Sequence, residues 1–312
     1  EKSTGDFSIG VGFSTSAGAL LELGITERNL LGKGQTLALK LNVAQRQQEQ
    51  SLSFTEPYLF GKELSGGVEI FRRSFDQEDF SSFKLEQVGF TVRMGYPLAE
   101  HLRESWSYTL QRDDLRDVPF FASRFVRDQE GNFTASVLGH SIGYDKRDNA
   151  LKPTGGYFGV LRTDVAGLGG NVKFFRNNLS GGYFYSLDDD RKWVVSLRSA
   201  VAYVAQLGSA DIRISDRFFL GGDNLRGFEN SGVGQRDILT NDALGGNFMY
   251  NGGVELRVPL GLKSSGISAA LFIDFGTLTS VDATGPEVRD KSNLRMSAGF
   301  GISWDSPFGP IR

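Results

Sequence analysis

Phe7, Ile9, Val11 and Phe13 alternate with Ser8, Gly10, Gly12 and Ser14, a period of two that puts every large side chain on one face of a β-strand. The same period returns along the whole chain. It predicts further strands at about residues 17–25, 34–45, 49–56, 65–73, 82–95, 104–112, 133–146, 156–165, 173–186, 193–206, 248–258, 266–277 and 293–304, fourteen with the first, and Pro310-Ile311-Arg312 reads as the start of a fifteenth.

An apolar sheet face must be covered. In a soluble protein a second layer does this, yet no amphipathic helix pattern is present to supply one. A membrane barrel needs no second layer, because its strands turn apolar residues to lipid and polar ones to the lumen, so overall hydropathy stays low. The composition agrees: 40 glycines, 25 phenylalanines and only 8 prolines suit tight turns and strands, while 23% of residues are charged. No stretch approaches the roughly 18 apolar residues of a spanning helix, and Ile267–Ile273 stops at Asp274. The expectation is one domain, residues 1–312, folded as an all-β transmembrane antiparallel barrel. Bacterial single-chain barrels have even strand numbers, so sixteen strands are expected, the last one or two missing or incomplete here. Glu1 follows no export signal, which suits a mature or trimmed form.

Connection lengths alternate. Short turns at 29–33, 57–63 and 97–102 contrast with long links at 74–81, 113–132 and 207–247, the asymmetry of periplasmic turns and extracellular loops. Tyr58, Phe60, Tyr96, Trp193 and Trp304 fall near strand ends, where interfacial girdles lie.

Enzyme chemistry is not visible. There is no cysteine, and His101 and His140 are the two histidines. His140 shares its phase with Leu138, Ile142 and Tyr144, which suits an interfacial or packing role. Gly32-Lys33-Gly34-Gln35-Thr36 lacks Walker spacing and a following helix and reads as a hairpin turn. The clusters 145–148 and 188–191 read as solvated turns. A net charge of -3 leaves no nucleic-acid footprint. No cofactor, metal or catalytic residue is expected.

The last third carries the distinctive charges. On 248–258 the apolar phase is even, which turns Glu255 inward, and on 266–277 it is odd, which turns Asp274 inward. Between them and the preceding strand lies a long loop with Gly221, Gly222, Leu225, Arg226, Gly227 and Phe228. Arg226 folded back against Glu255 and Asp274 would make charge-assisted hydrogen bonds and pin the loop in the lumen. Periodicity alone equally allows all three to line a wet pore.

Phe218-Phe219-Leu220-Gly221-Gly222 with Leu225-Arg226-Gly227-Phe228 resembles the hallmark loop of the superfamily of outer-membrane assembly and two-partner-secretion transporters, with leucine at 225 where the family has valine or isoleucine. Glu255 and Phe272-Ile273-Asp274-Phe275-Gly276 resemble that superfamily's matching interior carboxylates, and residues 5–12, 29–34, 54–58 and 304–310 are similar to its assembly-factor branch. That resemblance implies a sixteen-stranded barrel in the bacterial outer membrane, preceded by soluble periplasmic repeats (POTRA domains). It implies a role in folding and inserting other outer-membrane barrels, with unfolded clients, lipoprotein subunits and the bilayer as partners. It also implies a lateral gate at the first strand, Phe7, Ser8, Ile9, Gly10, Val11, Gly12, Phe13 and Ser14. A polypeptide-secretion pore, an autotransporter assembly factor and, less favoured, a passive porin are the alternatives.

Overall fold

The computed structural model describes residues 4–14, 17–260, 266–289, 292–306 and 309–311. Its main sheet is a meander of β1 (Gly5–Ser14), β2 (Gly18–Leu30), β3 (Gln35–Ala44), β4 (Gln47–Glu56), β5 (Ser65–Asp76), β6 (Lys84–Ala99), β7 (Leu102–Arg116), β8 (Gly131–Asp145), β9 (Gly156–Gly170), β10 (Phe174–Ser186) and β11 (Val194–Gln206). The short strands β12 (Gln235–Asp237) and β13 (Ala243–Gly245) belong to the long loop, and β14 (Phe248–Pro259) and β15 (Ile267–Thr279) resume the meander. After the two-residue β16 (Val288–Arg289) it ends with β17 (Arg295–Ser306) and β18 (Gly309–Ile311).

Fifteen strands pair in chain order, all antiparallel where registers are defined, and β12, β13 and β16 form a separate small sheet. The fourteen predicted strands and the start of a fifteenth are all present. Their ends differ by a few residues: β7 runs to Arg116 where the apolar pattern suggested 112, because its outer face turns polar before the ladder ends.

Alternation sets the two faces. Phe7, Ile9, Val11 and Phe13 on β1 lie beside Ile25, Leu23, Leu21 and Ala19 on β2, and β2 Leu23 and Ile25 beside β3 Leu41 and Leu39. This apolar face is exposed around the sheet, as at Val11, Ile70, Leu179 and Phe300. On β6 the outward residues Tyr96 to Val88 span about 27 Å at ~3.4 Å per residue, or about 20 Å of membrane after a ~40° tilt, close to the ~25 Å apolar band of such barrels.

The two ends differ as expected, but not uniformly. At one end the turn 100–101 and the hairpin 31–34 are short, whereas the linker 146–155 is longer, as the predicted strands 133–146 and 156–165 required. At the other end the links 77–83, 117–130 and 207–247 are long, the first two carrying α1 (Glu78–Ser81) and α2 (Arg124–Arg127), yet 45–46 is a tight turn. All five predicted girdle aromatics sit at the short-turn end. Trp106, Tyr144 and Tyr157 extend that band, with Tyr144 stacked on Tyr157 at 5.6 Å. His140 lies in the same outward row as Trp106. Its Nε2 meets Glu104 Oε1 at 2.8 Å, while Glu104 also accepts from Tyr96 Oη and Trp106 Nε1. That satisfied cluster gives the interfacial role expected for His140 a concrete form.

Candidate functional site

The loop 207–247 turns inward and touches the inner face of successive walls, which shows that the sheet curls around it. Phe219 packs on the cluster of Phe83, Leu85, Leu115, Val126 and Ile214. Phe218 joins a second cluster with Ala166, Phe174 and Val204. Leu220, Leu225, Val233 and Leu278 form a third, against which Phe228 packs. The leucine at 225 is fully buried, so the departure from valine or isoleucine is a packing substitution in an apolar pocket.

Backbone geometry explains the glycines. Gly221 has φ +136°, and a side chain there would run into the carbonyl of Glu229, so only glycine closes the turn. Its N–H donates to Asn224 Oδ1 at 2.8 Å, and the Gly222 N–H donates to the Phe228 carbonyl at 2.9 Å. Gly227, at φ +86°, follows the arginine and lies against Ser297.

Arg226 is held by a fork. Its Nε and Nη2 donate to the two oxygens of Asp274 at 2.6 and 2.8 Å, its backbone N–H reaches Oδ2 at 3.3 Å, and Nη1 donates to Glu255 Oε2 at 2.7 Å. The guanidinium lies 3.7 Å over the Phe272 ring, and Ser297 Oγ donates to the Arg226 carbonyl. The Asp274 hydrogen bond first, and then that to Glu255, raise the arginine's pKa against the opposing effect of burial. Of the two readings left open, the pinned loop is the one observed.

Register positions these groups. On β14 and β15, Glu255 faces Phe272 and Gly253 faces Asp274. A Cβ at Gly253 would press on Asp274 Oδ1 at 2.4 Å, so the missing side chain makes room for the carboxylate. Strand β17 places Ser297 beside Asp274 and Gly299 beside Phe272. Periodicity had marked Phe272 as inward-facing but could not show its stacking, and Ser297 was missed. The alternation of β17 would have marked it as inward.

A second set of arginines holds the loop from behind. Arg217, whose pKa burial lowers, donates to the carbonyls of Ile212 and Leu244 at 3.0 Å each. Arg176 on β10 donates to the Asp216 carbonyl at 2.7 Å. At the long-loop end Ser123 binds Asp237 through its hydroxyl and Asp242 through its N–H, both at 2.7 Å. A cavity of about 390 Å³ remains beside Arg226, lined in part by Arg198, Asn251 and Glu255.

The first strand differs. β1 pairs with β2 over ten residues, but its inward side chains at Ser8, Gly10 and Gly12 are small. A Cβ at Gly12 would meet nothing within 4 Å, so packing does not demand glycine there. Arg28 and Asp6, both exposed, form an ion pair at 2.8 Å. Ser14 belongs to β1, and its side chain lies outside the described residues.

An outward apolar band around a sheet that curls over its own arginine-tied loop defines a transmembrane β-barrel with a filled lumen. The chain belongs to the Omp85 superfamily, whose domain model matches residues 29–312. It is 33% identical over its whole length to an outer membrane protein assembly factor BamA of Neorickettsia risticii, covering 42% of that protein. The chain thus spans less than half the length of this relative. Among solved structures it is similar to BamA from Haemophilus ducreyi lacking POTRA domains 1–3, with TM-score 0.86 and 24% identity over 99% of this chain and 66% of that one. CdiB from Acinetobacter baumannii shares the fold at TM-score 0.58 and 11% identity, covering 97% of this chain and 54% of that one.

Proposed function

We propose that this barrel is the membrane part of an assembly factor that folds and inserts β-barrel proteins into the bacterial outer membrane, with β1 as the seam at which clients enter. The carrying observation is the inner face of β1, where Ser8, Gly10 and Gly12 put no large side chain on three successive inward positions. Such a strand supplies backbone hydrogen bonds but little side-chain packing to hold a seam shut. Inside lipid, an incoming strand must satisfy each amide, because an unpaired group costs several kcal/mol, and pairing along β1 provides that by β-augmentation.

The likeness to BamA relatives over the full chain supports this reading. The partners are unfolded outer-membrane clients and the lipoprotein subunits of an assembly complex. The hallmark loop is common to the secretion-pore alternative and does not separate the two readings; the 33% identity to a BamA over the whole chain is what favours assembly. The test is a disulfide joining β1 to the terminal strand in the full-length protein. Client assembly in cells depleted of the native protein should stop when the seam is locked and return on reduction. Normal assembly with the seam locked would refute the proposal.

A further inference from the structure

The first leg of the long loop, residues 212–217, rests on the inner wall and is seated differently from the Arg226 fork. Ile214 is fully buried against Leu115 and Val126, and its N–H donates to Gln129 Oε1 at 2.7 Å. The Arg213 guanidinium lies 3.2 Å over the Phe133 ring of β8. Yet all three of its nitrogens are buried without an acceptor among the described residues, and Asp216 Oδ2 and Ser215 Oγ are likewise buried without a partner. Arg176 of β10 reaches Asp216 Oδ1 only at 3.4 Å, its close contact going to the Asp216 carbonyl at 2.7 Å. Apolar packing is good here and polar bonding is poor.

The wall adds a second carboxylate. Asp113 on β7 is only 1% exposed and stands in register between Gln87 on β6 and Phe133 on β8. Gln87 is one residue past Val88, where the outward apolar run of β6 ends, so Asp113 lies above the lipid-spanning stretch. Gln87 and Gln111 both donate to its Oδ1, at 2.9 and 2.8 Å, which leaves Oδ2 to take a proton. The charges that act on Asp113 are those of Arg213 and Asp216, and the charges that act on Asp216 include Arg176, Arg213 and Arg217. Arg217 is engaged by the carbonyls of Ile212 and Leu244. Along the adjoining chamber of about 580 Å³ the other charges are paired: Arg93 with Glu69 at 2.7 Å, Arg162 with Asp164 at 3.0 Å and Arg73 with Glu49 at 2.8 Å. Two largely buried carboxylates, one on the wall and one on the leg, thus act on a guanidinium that donates to neither.

We propose that Asp113 is a proton-operated latch for the loop: while it is neutral the leg 212–217 stays seated on the wall, and when it ionises opposite Asp216 the leg loosens while the Arg226 fork holds. Burial and a like charge both disfavour the ionised form. Burial first, and the Asp216 charge second, push the Asp113 carboxyl up to about 6, against the lowering by Gln87, Arg213 and Gln111. With the leg lifted, Asp113 meets water and returns to its ordinary 3.8. The seated form therefore holds the proton more tightly. Seating is strongest below about pH 4, weakens as pH rises toward 6 and is level above that. The latch rests on the plugged barrel and not on the assembly role.

The test is amide exchange of the full-length protein in phosphatidylcholine nanodiscs at a series of pH values from acid to neutral, with the protection of residues 212–218 taken relative to an unstructured peptide at each pH. Wild type should lose about tenfold or more of that protection as Asp113 ionises, under a ceiling of roughly 100-fold for a rise from 3.8 to about 6. The Gly222 amide, which donates to the Phe228 carbonyl beside the fork, should not change. Asp113→Asn, neutral at every pH, should keep the acid-side protection throughout. Asp216→Asn, which removes the second carboxylate, should move the transition to lower pH, so it decides the matter even where Asp113→Asn fails to fold. Level protection in wild type, a fall that persists in folded Asp113→Asn, or an unmoved transition in Asp216→Asn would each overturn the proposal. Client assembly is not read here, so this result and the seam-locking result stand or fall separately.

Discussion

The wall of β14, β15 and β17 and the edge strand β1 belong to one sheet but are held in different ways. On the wall, inward positions carry Glu255, Phe272, Asp274 and Ser297, all engaged by Arg226. On β1, the inward positions from Ser8 to Gly12 carry serine and glycine, and what remains is the ladder to β2 and the exposed Asp6–Arg28 ion pair at one end. Backbone pairing is common to both, so the difference lies in side-chain bonds that cross the lumen. A barrel can thus be rigid where its plug is moored and more yielding along an edge strand that has no such mooring.

The strongest way to break this contrast is to cut the mooring. Arg226→Ala should cost about 2–4 kcal/mol, between an exposed pair and a fully buried one, because it strips the counter-charge from Asp274 and Glu255, which are 11% and 20% exposed in the intact site. Its readout is the temperature at which the folded barrel loses its gel-mobility shift. An unchanged transition would remove the wall from its special place in the comparison. Arg226→Lys should recover only part of the loss, since an ammonium cannot reproduce the bidentate fork.

The two carboxylates sharpen the picture. Asp274 accepts from three nitrogens of Arg226 and Glu255 from one. Asp274→Asn should therefore destabilise by about 2 kcal/mol and Glu255→Gln by about 1 kcal/mol. The reverse order, measured in the same melting assay, would show that Glu255 is the principal anchor.

On the edge strand the expectation inverts. Gly12→Val meets open space, so fold stability should shift by no more than about 1 kcal/mol, in the stabilising direction that β propensity favours. Client assembly should fall, because a stiffer strand with more packing surface holds the seam closed. Full assembly activity with unchanged stability would leave the glycine without a role in exchange.

The smallest effect concerns the turn 146–155, which among the described residues meets the wall only through the Arg257 hydrogen bond to the Pro153 carbonyl. Asp148 Oδ1 accepts from the N–H groups of Asn149, Thr154 and Gly155. Its desolvation opposes ionisation, yet these bonds and the Thr154 hydroxyl together bring its pKa from 3.8 down to about 2. A depressed carboxylate stabilises above its unfolded pKa and loses that contribution as pH falls through the folded value. The protection of the amides in this turn, taken relative to the exchange of an unstructured peptide at the same pH, should be flat above about pH 5 and fall toward pH 2, and Asp148→Asn should remove that dependence. The mooring at Arg226 should not follow the same profile, which keeps this turn a control.

Much of this was legible in the sequence because a strand's period is exact. Parity alone turned Glu255 and Asp274 inward, and a loop arginine was the natural counter-charge. Parity could not say that Arg226 also lies on Phe272, since that depends on the height at which the loop enters the lumen. The small sheet of β12, β13 and β16 was missed because two- and three-residue strands are too short to show a period. The four-residue helices α1 and α2 were missed for the same reason. The polar ends of β5 and β7 were hidden by their alternation of polar with polar, which reads as loop until pairing extends the strands beyond the apolar band.

The loop has one further consequence, in electrical terms. A barrel of this strand number with an empty lumen would be a conductor, and its resistance would be set by the width of the pore. Here phenylalanines, leucines and a salt-bridged arginine fill that path from the wall of β6 to the wall of β17. The fork at Arg226 would then be the contact whose opening clears the path. While it is made, the barrel should stay almost silent in a planar bilayer, and brief current steps should mark the moments when the loop leaves its seat.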